Sequence, residues 1–200
     1  VSGAGRRWGR HLLRSTWADR VVGTVGVRPG ELVLDLGAGT GALTGPLVSR
    51  RARTVAVELH RGRAEALRRR FDASTVTVVE ADILQVPLPG RPFRVVANPP
   101  YAVCAALLRR LTDHRSHLTR ADLVVPRWMA RRYQASPPLG FSAEVGLHVP
   151  AGAFDPAPRS DSAVLTLRRT RRRSTSRRRS ASRRRSTSGP RQTHGRRGRA

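Results

Sequence analysis

Short apolar runs alternate with amphipathic stretches along most of the chain, and that alternation sets the expected fold. Glu31-Leu32-Val33-Leu34-Asp35-Leu36 has the length of a buried strand, and it runs through Gly37-Ala38-Gly39-Thr40-Gly41 into an amphipathic stretch at 42–50. Strand, glycine-rich turn and helix in that order form the opening unit of a doubly wound α/β sheet. Residues 54–58 read as a second strand with a helix at 61–71, and 75–79 as a third. Residues 93–97 read as a fourth with a helix at 102–111, and 121–125 as a fifth. Five parallel strands with helical crossovers bury both faces of the sheet.

After Tyr133 the texture changes. Residues 143–149 and 162–167 are apolar runs separated only by the Pro-rich Phe154-Asp155-Pro156-Ala157-Pro158, which predicts a terminal antiparallel hairpin at the sheet edge. The whole is then a mostly parallel, seven-stranded α/β sheet. Ahead of it, Trp8, Leu12, Leu13 and Trp17 suit a short helix or ordered arm over 6–20. Residues 21–27 continue the helical pattern until Arg28-Pro29-Gly30 stops it.

Charge divides the chain in two. The formal net charge is +26, all 39 basic residues are arginine, and residues 168–200 hold 15 of them with no acid. The remaining 24 arginines stand against 13 carboxylates, so both parts are basic. A chain this positive attracts polyanions at long range and binds phosphate backbones, which makes nucleic acid the leading partner class. Residues 171–188 repeat RRRSTS, RRRSAS, RRRSTS, and such a segment has too little apolar surface to offset its ordering entropy. The expected division is a domain over 1–169, with its N-terminal arm and helix at 1–30, and a disordered Arg/Ser-rich tail over 170–200.

The single Cys104 excludes an internal disulfide and a cysteine-based metal cluster, and suits a reducing compartment. No apolar run in the first thirty residues reaches the length of a signal-peptide core, and none approaches the ~20 residues of a membrane span. The expectation is a cytoplasmic monomer with no metal and no membrane contact.

The candidate chemistry lies at the ends of four successive strands. The glycines of 37–41 let a ligand approach the backbone where a strand meets a helix, although Gly37, Gly39 and Ala42 fit a nicotinamide fingerprint equally well. Glu58 closes the second strand, where a carboxylate can hold the two hydroxyls of a ribose. Asp82 follows the third strand and can accept from the exocyclic amine of an adenine while Ile83 packs on its ring. The fourth strand delivers Asn98-Pro99-Pro100-Tyr101. Its two prolines stiffen a turn whose carbonyls, with the Asn98 side chain, can accept hydrogens from an amino group, and the Tyr101 ring can stack on a base.

Together these residues resemble the class I S-adenosylmethionine-dependent methyltransferases, and within them the Erm family of 23S rRNA adenine N6-methyltransferases. The resemblance runs from about Arg7 to Arg169. It is carried by LVLDLGAGTGALT at 32–44, VAVELH at 55–60, FRVVANPPY at 93–101 and FDPAPRSDSAVL at 154–165, the last shared with the small-subunit rRNA dimethyltransferases. It implies a Rossmann-like fold, S-adenosyl-L-methionine as cofactor and 23S rRNA, naked or in an early assembly precursor, as partner. Methylation in the peptidyl-transferase region would give macrolide, lincosamide and streptogramin B resistance. By position it implies Gly37, Gly39 and Gly41 at the methionine and ribose, Glu58 and Leu59 at the ribose, Asp82 and Ile83 at the adenine, and His11 and Leu13 as further cofactor contacts. Asn98, Pro99 and Tyr101 would hold the target base, with Asn98 also beside the cofactor.

The chain departs from the pattern at Arg10-His11-Leu12-Leu13, where the family carries a Gln-Asn-Phe-Leu-like segment. It departs again at Pro99 and Pro126, and by having the arginine repeat in place of the family's C-terminal helical domain. Asn-Pro-Pro-Tyr also marks DNA adenine N6- and protein glutamine N5-methyltransferases, and a non-catalytic RNA-binding protein could keep the same fold. The basic charge and the FDPAPRSDSAVL segment favour RNA over both other substrates.

Overall fold

A computed structural model describes residues 11–170, so the expected arm before His11 and the repeat tail lie outside it. In chain order the elements are β1 (Leu12–Leu13), α1 (Ser15–Val25), β2 (Leu32–Leu36), α2 (Thr44–Ser49), β3 (Arg53–Glu58), α3 (Arg61–Arg70), β4 (Val76–Glu80) and β5 (Phe93–Ala97). A 3-10 turn at Tyr101–Val103 precedes α4 (Cys104–Leu111). Then come β6 (Leu118–Pro126), α5 (Arg127–Ala135), β7 (Phe141–Val149), β8 (Phe154–Asp155) and β9 (Ser162–Arg169).

Seven strands form one sheet in the order β4-β3-β2-β5-β6-β9-β7. The five strands read from the sequence as parallel are parallel, and β9 and β7 complete the sheet antiparallel. The expected terminal hairpin is present, but its second strand lies inside: β9 pairs with β6 along Arg120–Pro126, and β7 becomes the edge. Burial explains the order. Residues 162–167 are buried throughout, whereas β7 alternates between buried or half-buried and exposed positions.

One local expectation is narrowed and one element is added. Leu12 and Leu13 are extended, because β1 pairs antiparallel with β8 as a separate two-stranded ribbon, with Leu13 inside and Leu12 outside. The helix therefore begins only at Ser15 and ends at Gly26, whose φ of +61° is the left-handed conformation that glycine adopts freely. Helix α5 was not anticipated from the sequence. Its inward residues Met129, Ala130 and the half-buried Tyr133 follow a helical spacing too short to stand out.

The sheet is covered on both sides. Val33, Val96, Val124 and Val164 pack against α1 and α2, and Ala56, Val76 and Val78 against α3. On the other face Val95, Leu123, Val125 and Leu165 pack against α4 and α5. Within the α1 side sits a buried ion cluster. The Arg94 guanidinium, 2% exposed, lies 2.6 Å from Asp122 and 3.2 Å from Glu31, and it donates to the carbonyls of Val25 and Gly26 at the end of α1. Asp122 also accepts from Arg120 and from the Thr166 hydroxyl at 2.7 Å, which satisfies both its oxygens.

Asp122 and Arg94 thus join α1, β5, β6 and β9, and removing Asp122 leaves the buried guanidinium with Glu31 as its one remaining counter-charge among the described residues. Asp122→Ala is expected to lower unfolding free energy by about 3–5 kcal/mol, the usual cost of breaking a buried pair. Urea unfolding checks this, and a loss below about 1 kcal/mol would place the pair among surface-like bridges.

Candidate active site

The carboxyl ends of β2, β3, β4 and β5 open on one cavity, the rim where open parallel sheets hold ligands. Gly37 and Gly39 form its floor between β2 and α2, both at positive φ, +83° and +59°. A methyl group on Gly37 would lie 3.7 Å from the Pro100 ring, so the glycine turn and the Pro-rich turn sit back to back. Gly41 is not brought to the cavity wall. At φ +86°, a Cβ there would come within 2.8 Å of Leu67 and Phe71, so this glycine lets α3 pack against the turn.

Glu58 is 4% exposed and already engaged. Its Oε2 accepts from the Gly39 N–H and its Oε1 from the His60 N–H, each at 2.9 Å, and Arg63 pairs with Oε1 at 2.9 Å. Oε1 is taken twice and Oε2 once, so Oε2 keeps a lone pair with which the carboxylate can still accept from a hydroxyl while it fixes the glycine turn. Leu59 beside it is 60% exposed, an apolar residue left at the cavity mouth. Across the cavity Asp82 accepts from the Leu84 N–H at 2.8 Å through Oδ1. Ile83 lines the wall next to it, and Arg110 pins this loop through the carbonyls of Ile83 and Val86.

Asn98 is locked from behind. Its amide Nδ2 donates to the His11 carbonyl at 2.9 Å, which commits the nitrogen and leaves Oδ1 as the acceptor. The Pro99 carbonyl meets only the Cys104 thiol at 3.8 Å, a weak donor that burial holds protonated by pushing its pKa up to about 12. The Tyr101 hydroxyl lies 2.5 Å from the Ser162 hydroxyl, and burial raises its pKa and keeps it neutral. Its ring faces the His11 imidazole at 5.4 Å. His11 in turn bonds the Pro156 carbonyl through Nδ1 at 2.8 Å.

The structure therefore gathers His11, Leu13, Gly37, Gly39, Glu58, Leu59, Asp82, Ile83, Asn98, Pro99 and Tyr101 around one space, and leaves Gly41 behind it. Sequence reasoning passed over Leu12 and Asp35, which also line the cavity, and over Ser162 and Arg63, which hold Tyr101 and Glu58. For Asp35 the available signal was an acid inside an apolar strand, two residues ahead of the glycine turn. For Ser162 it was a place in the FDPAPRSDSAVL segment, although nothing local named Tyr101, 61 residues away, as its partner. Among the described residues no group of three or more His, Cys, Asp or Glu could hold a metal, and no helix is long and apolar enough to cross a membrane.

A parallel sheet in this order, closed by an antiparallel pair and carrying a glycine turn and two acids at successive strand ends, is the fold of a class I S-adenosylmethionine-dependent methyltransferase. The family model for ribosomal RNA adenine dimethylase matches residues 4–179, and the chain belongs to that family. Ribosomal RNA small subunit methyltransferase A of Leptothrix cholodnii is 32% identical over 181 residues, 81% of this chain and 66% of its own length. That of Thermosynechococcus vestitus is 37% identical over 186 residues, 82% of this chain and 69% of its own. The chain thus spans about two thirds of these relatives. The crystal structure of the 23S rRNA methyltransferase ErmE superposes with a TM-score of 0.70 at 29% identity over 79% of this chain and 69% of that one. A dimethyladenosine transferase from Plasmodium falciparum, at 0.68 and 21% identity over 80% of this chain and 64% of that one, shares the fold.

Asp35 gives the site a pH dependence of its own. Burial, reinforced by the nearby Glu58 and opposed by a 2.7 Å hydrogen bond from Thr44, raises its pKa from 3.8 to about 7. The native state therefore holds a proton that the unfolded chain releases, so this group's contribution is full below pH 4 and lost as pH rises through 7. Asp35→Asn removes that loss. Between pH 4 and pH 8 the unfolding free energy of the variant is expected to gain on wild type by up to about 4 kcal/mol, the free-energy equivalent of the raised pKa. Urea titrations across pH would give parallel curves if Asp35 were an ordinary carboxylate.

Proposed function

We propose that the protein transfers a methyl group from S-adenosylmethionine to N6 of an adenine in ribosomal RNA. The reading rests above all on Asn98, whose amide nitrogen is spent on the His11 carbonyl so that its oxygen stands as an acceptor, followed by a Pro99 carbonyl engaged only by the weak Cys104 thiol among the described residues.

The cofactor would supply an electrophilic methyl on its sulfonium. Gly37 and Gly39 leave backbone room for its methionine and ribose, Glu58 offers an acceptor to the ribose, and Asp82 with Ile83 suits an adenine that has one amine and one flat apolar face. Leu59, Leu13 and His11 close the surrounding wall.

Adenine N6 is a poor nucleophile because its lone pair is delocalised into the ring. Asn98 Oδ1 and the Pro99 carbonyl can accept both N6 hydrogens and hold the nitrogen pyramidal, so orientation and fixed dipoles provide most of the acceleration. Such chemistry requires the base to leave its stack, and the Tyr101 ring, held by Ser162, is placed to receive it. The proton released on transfer passes to water. No side chain here needs to ionise.

The target we favour is an adenine in the peptidyl-transferase region of 23S rRNA, whose methylation would block macrolide, lincosamide and streptogramin B binding. The likeness to ErmE supports it. A small-subunit target has its own support in the names of the relatives from Leptothrix and Thermosynechococcus. Incubating the protein with deproteinised 23S and 16S rRNA and mapping the modified base by reverse-transcription stops separates the two. Transfer to neither would refute the proposal.

Two substitutions probe the roles. Asn98→Ala is expected to lower kcat at least about a hundredfold with little change in cofactor affinity, since it removes an acceptor used at the base. Glu58→Ala is expected to weaken S-adenosylmethionine binding by about 1.5–3 kcal/mol, the scale of hydrogen bonds to a charged acceptor, with calorimetry as the check. An unmoved dissociation constant would put the ribose elsewhere.

A further inference from the structure

Four large apolar residues are exposed among those described: Leu12, Leu59, Trp128 and Leu139. Leu12 and Leu59 border the cavity, and Leu139 sits on the turn before β7. Trp128 belongs to neither. It projects from the first turn of α5 with 59% of its surface in solvent, while the same helix buries Met129 and Ala130 on its inner side.

Its neighbours share one sign. Arg131 and Arg132 follow at three and four residues, the spacing that places side chains on one helix face, and Arg127 precedes it. All three are exposed, α5 contains no acid, and among the described residues neither Arg131 nor Arg132 makes an ion pair or side-chain hydrogen bond. Asp161, whose backbone carbonyl accepts from the Arg127 N–H, has its carboxylate held by His148 and the Ala151 N–H. An aromatic face ringed by unpaired guanidinium groups suits a base with its phosphate, whereas a protein surface would leave those charges to be neutralised.

Placement ties this face to the reaction. Pro126, at the end of β6, is the register partner of Ser162, and Ser162 holds the Tyr101 hydroxyl. Trp128 stands two residues beyond Pro126, on the same rim of the sheet and on the hairpin side of the base-receiving turn.

We propose that Trp128 is a stacking platform for an unpaired nucleotide adjoining the target adenine, with Arg131 and Arg132 on its phosphates. The proposal rests on RNA being the substrate. Stacking on one side of the target stabilises the extruded strand before and after transfer alike, so it acts on RNA affinity more than on turnover.

The test uses the full chain, a fluorescently labelled single-stranded RNA oligonucleotide with one central adenine, and methyl transfer to rRNA measured in parallel. Trp128→Leu is expected to weaken oligonucleotide binding about tenfold, within the range measured for base–aromatic stacking. It should raise the Michaelis constant for rRNA by a similar factor and leave kcat, cofactor affinity and unfolding temperature near wild type. Trp128→Phe should restore most of the affinity, because it keeps the ring. Equal affinity of Trp128→Leu and wild type would overturn the proposal, as would equal losses in the Leu and Phe variants. It would also fall if Trp128→Leu converted a wild-type dimer to a monomer without changing RNA affinity, which would make the face a contact between copies. A protein that methylates rRNA independently of Trp128 refutes this inference alone. One that binds RNA through Trp128 yet transfers no methyl refutes the proposed function alone, and one that binds no RNA refutes both.

Discussion

The connection between the two antiparallel strands is the clasp on which the site depends. Phe154 and Asp155 pair with Leu13 and Leu12, the Pro156 carbonyl bonds His11, and Ser162 at the start of β9 bonds Tyr101. Through His11 the same clasp reaches Asn98. Both polar side chains of the Asn-Pro-Pro-Tyr turn are therefore oriented by groups outside their own strand. Acceptors already in place lose nothing to reorganisation when a base arrives, which is the physical basis of the transfer we propose.

A second constraint is electrostatic. The cavity gathers Asp35, Glu58 and Asp82 in a chain whose formal charge is +26, and each is handled differently. Glu58 is held by two backbone N–H groups and Arg63, Asp82 closes a turn onto Leu84, and Asp35, with one hydroxyl partner and a carboxylate neighbour, is left partly protonated near neutrality. The acids thus present acceptors to hydroxyls and amines inside a molecule whose outer surface attracts phosphate. Polyanion attraction and cofactor recognition are separated by burial.

What the residues declare locally was legible. Short apolar runs located the five parallel strands, the glycine turn located the cavity floor, and acids at strand ends pointed to Glu58 and Asp82. Features set by distant partners were not. Leu12–Leu13 is a strand only because Phe154–Asp155 lies against it, and β9 is an inner strand because its burial demands a neighbour on each side. Gly41 shows the same limit within a motif: its spacing matches the ligand-facing glycines, yet Leu67 and Phe71 explain its lack of a side chain. Spacing names candidates, and three-dimensional contacts decide which of them face the cavity.

The central claim is that one cavity holds the cofactor with its reactive end beside Asn98 and Pro99. A crystal structure of the protein with S-adenosylhomocysteine tests it most directly. The account predicts the ribose hydroxyls on Glu58, the adenine against Ile83 with its amine at Asp82, and the sulfur facing the Asn98 oxygen and the Pro99 carbonyl. Ligand bound away from these residues, or a cavity that stays empty at saturating ligand, would contradict it.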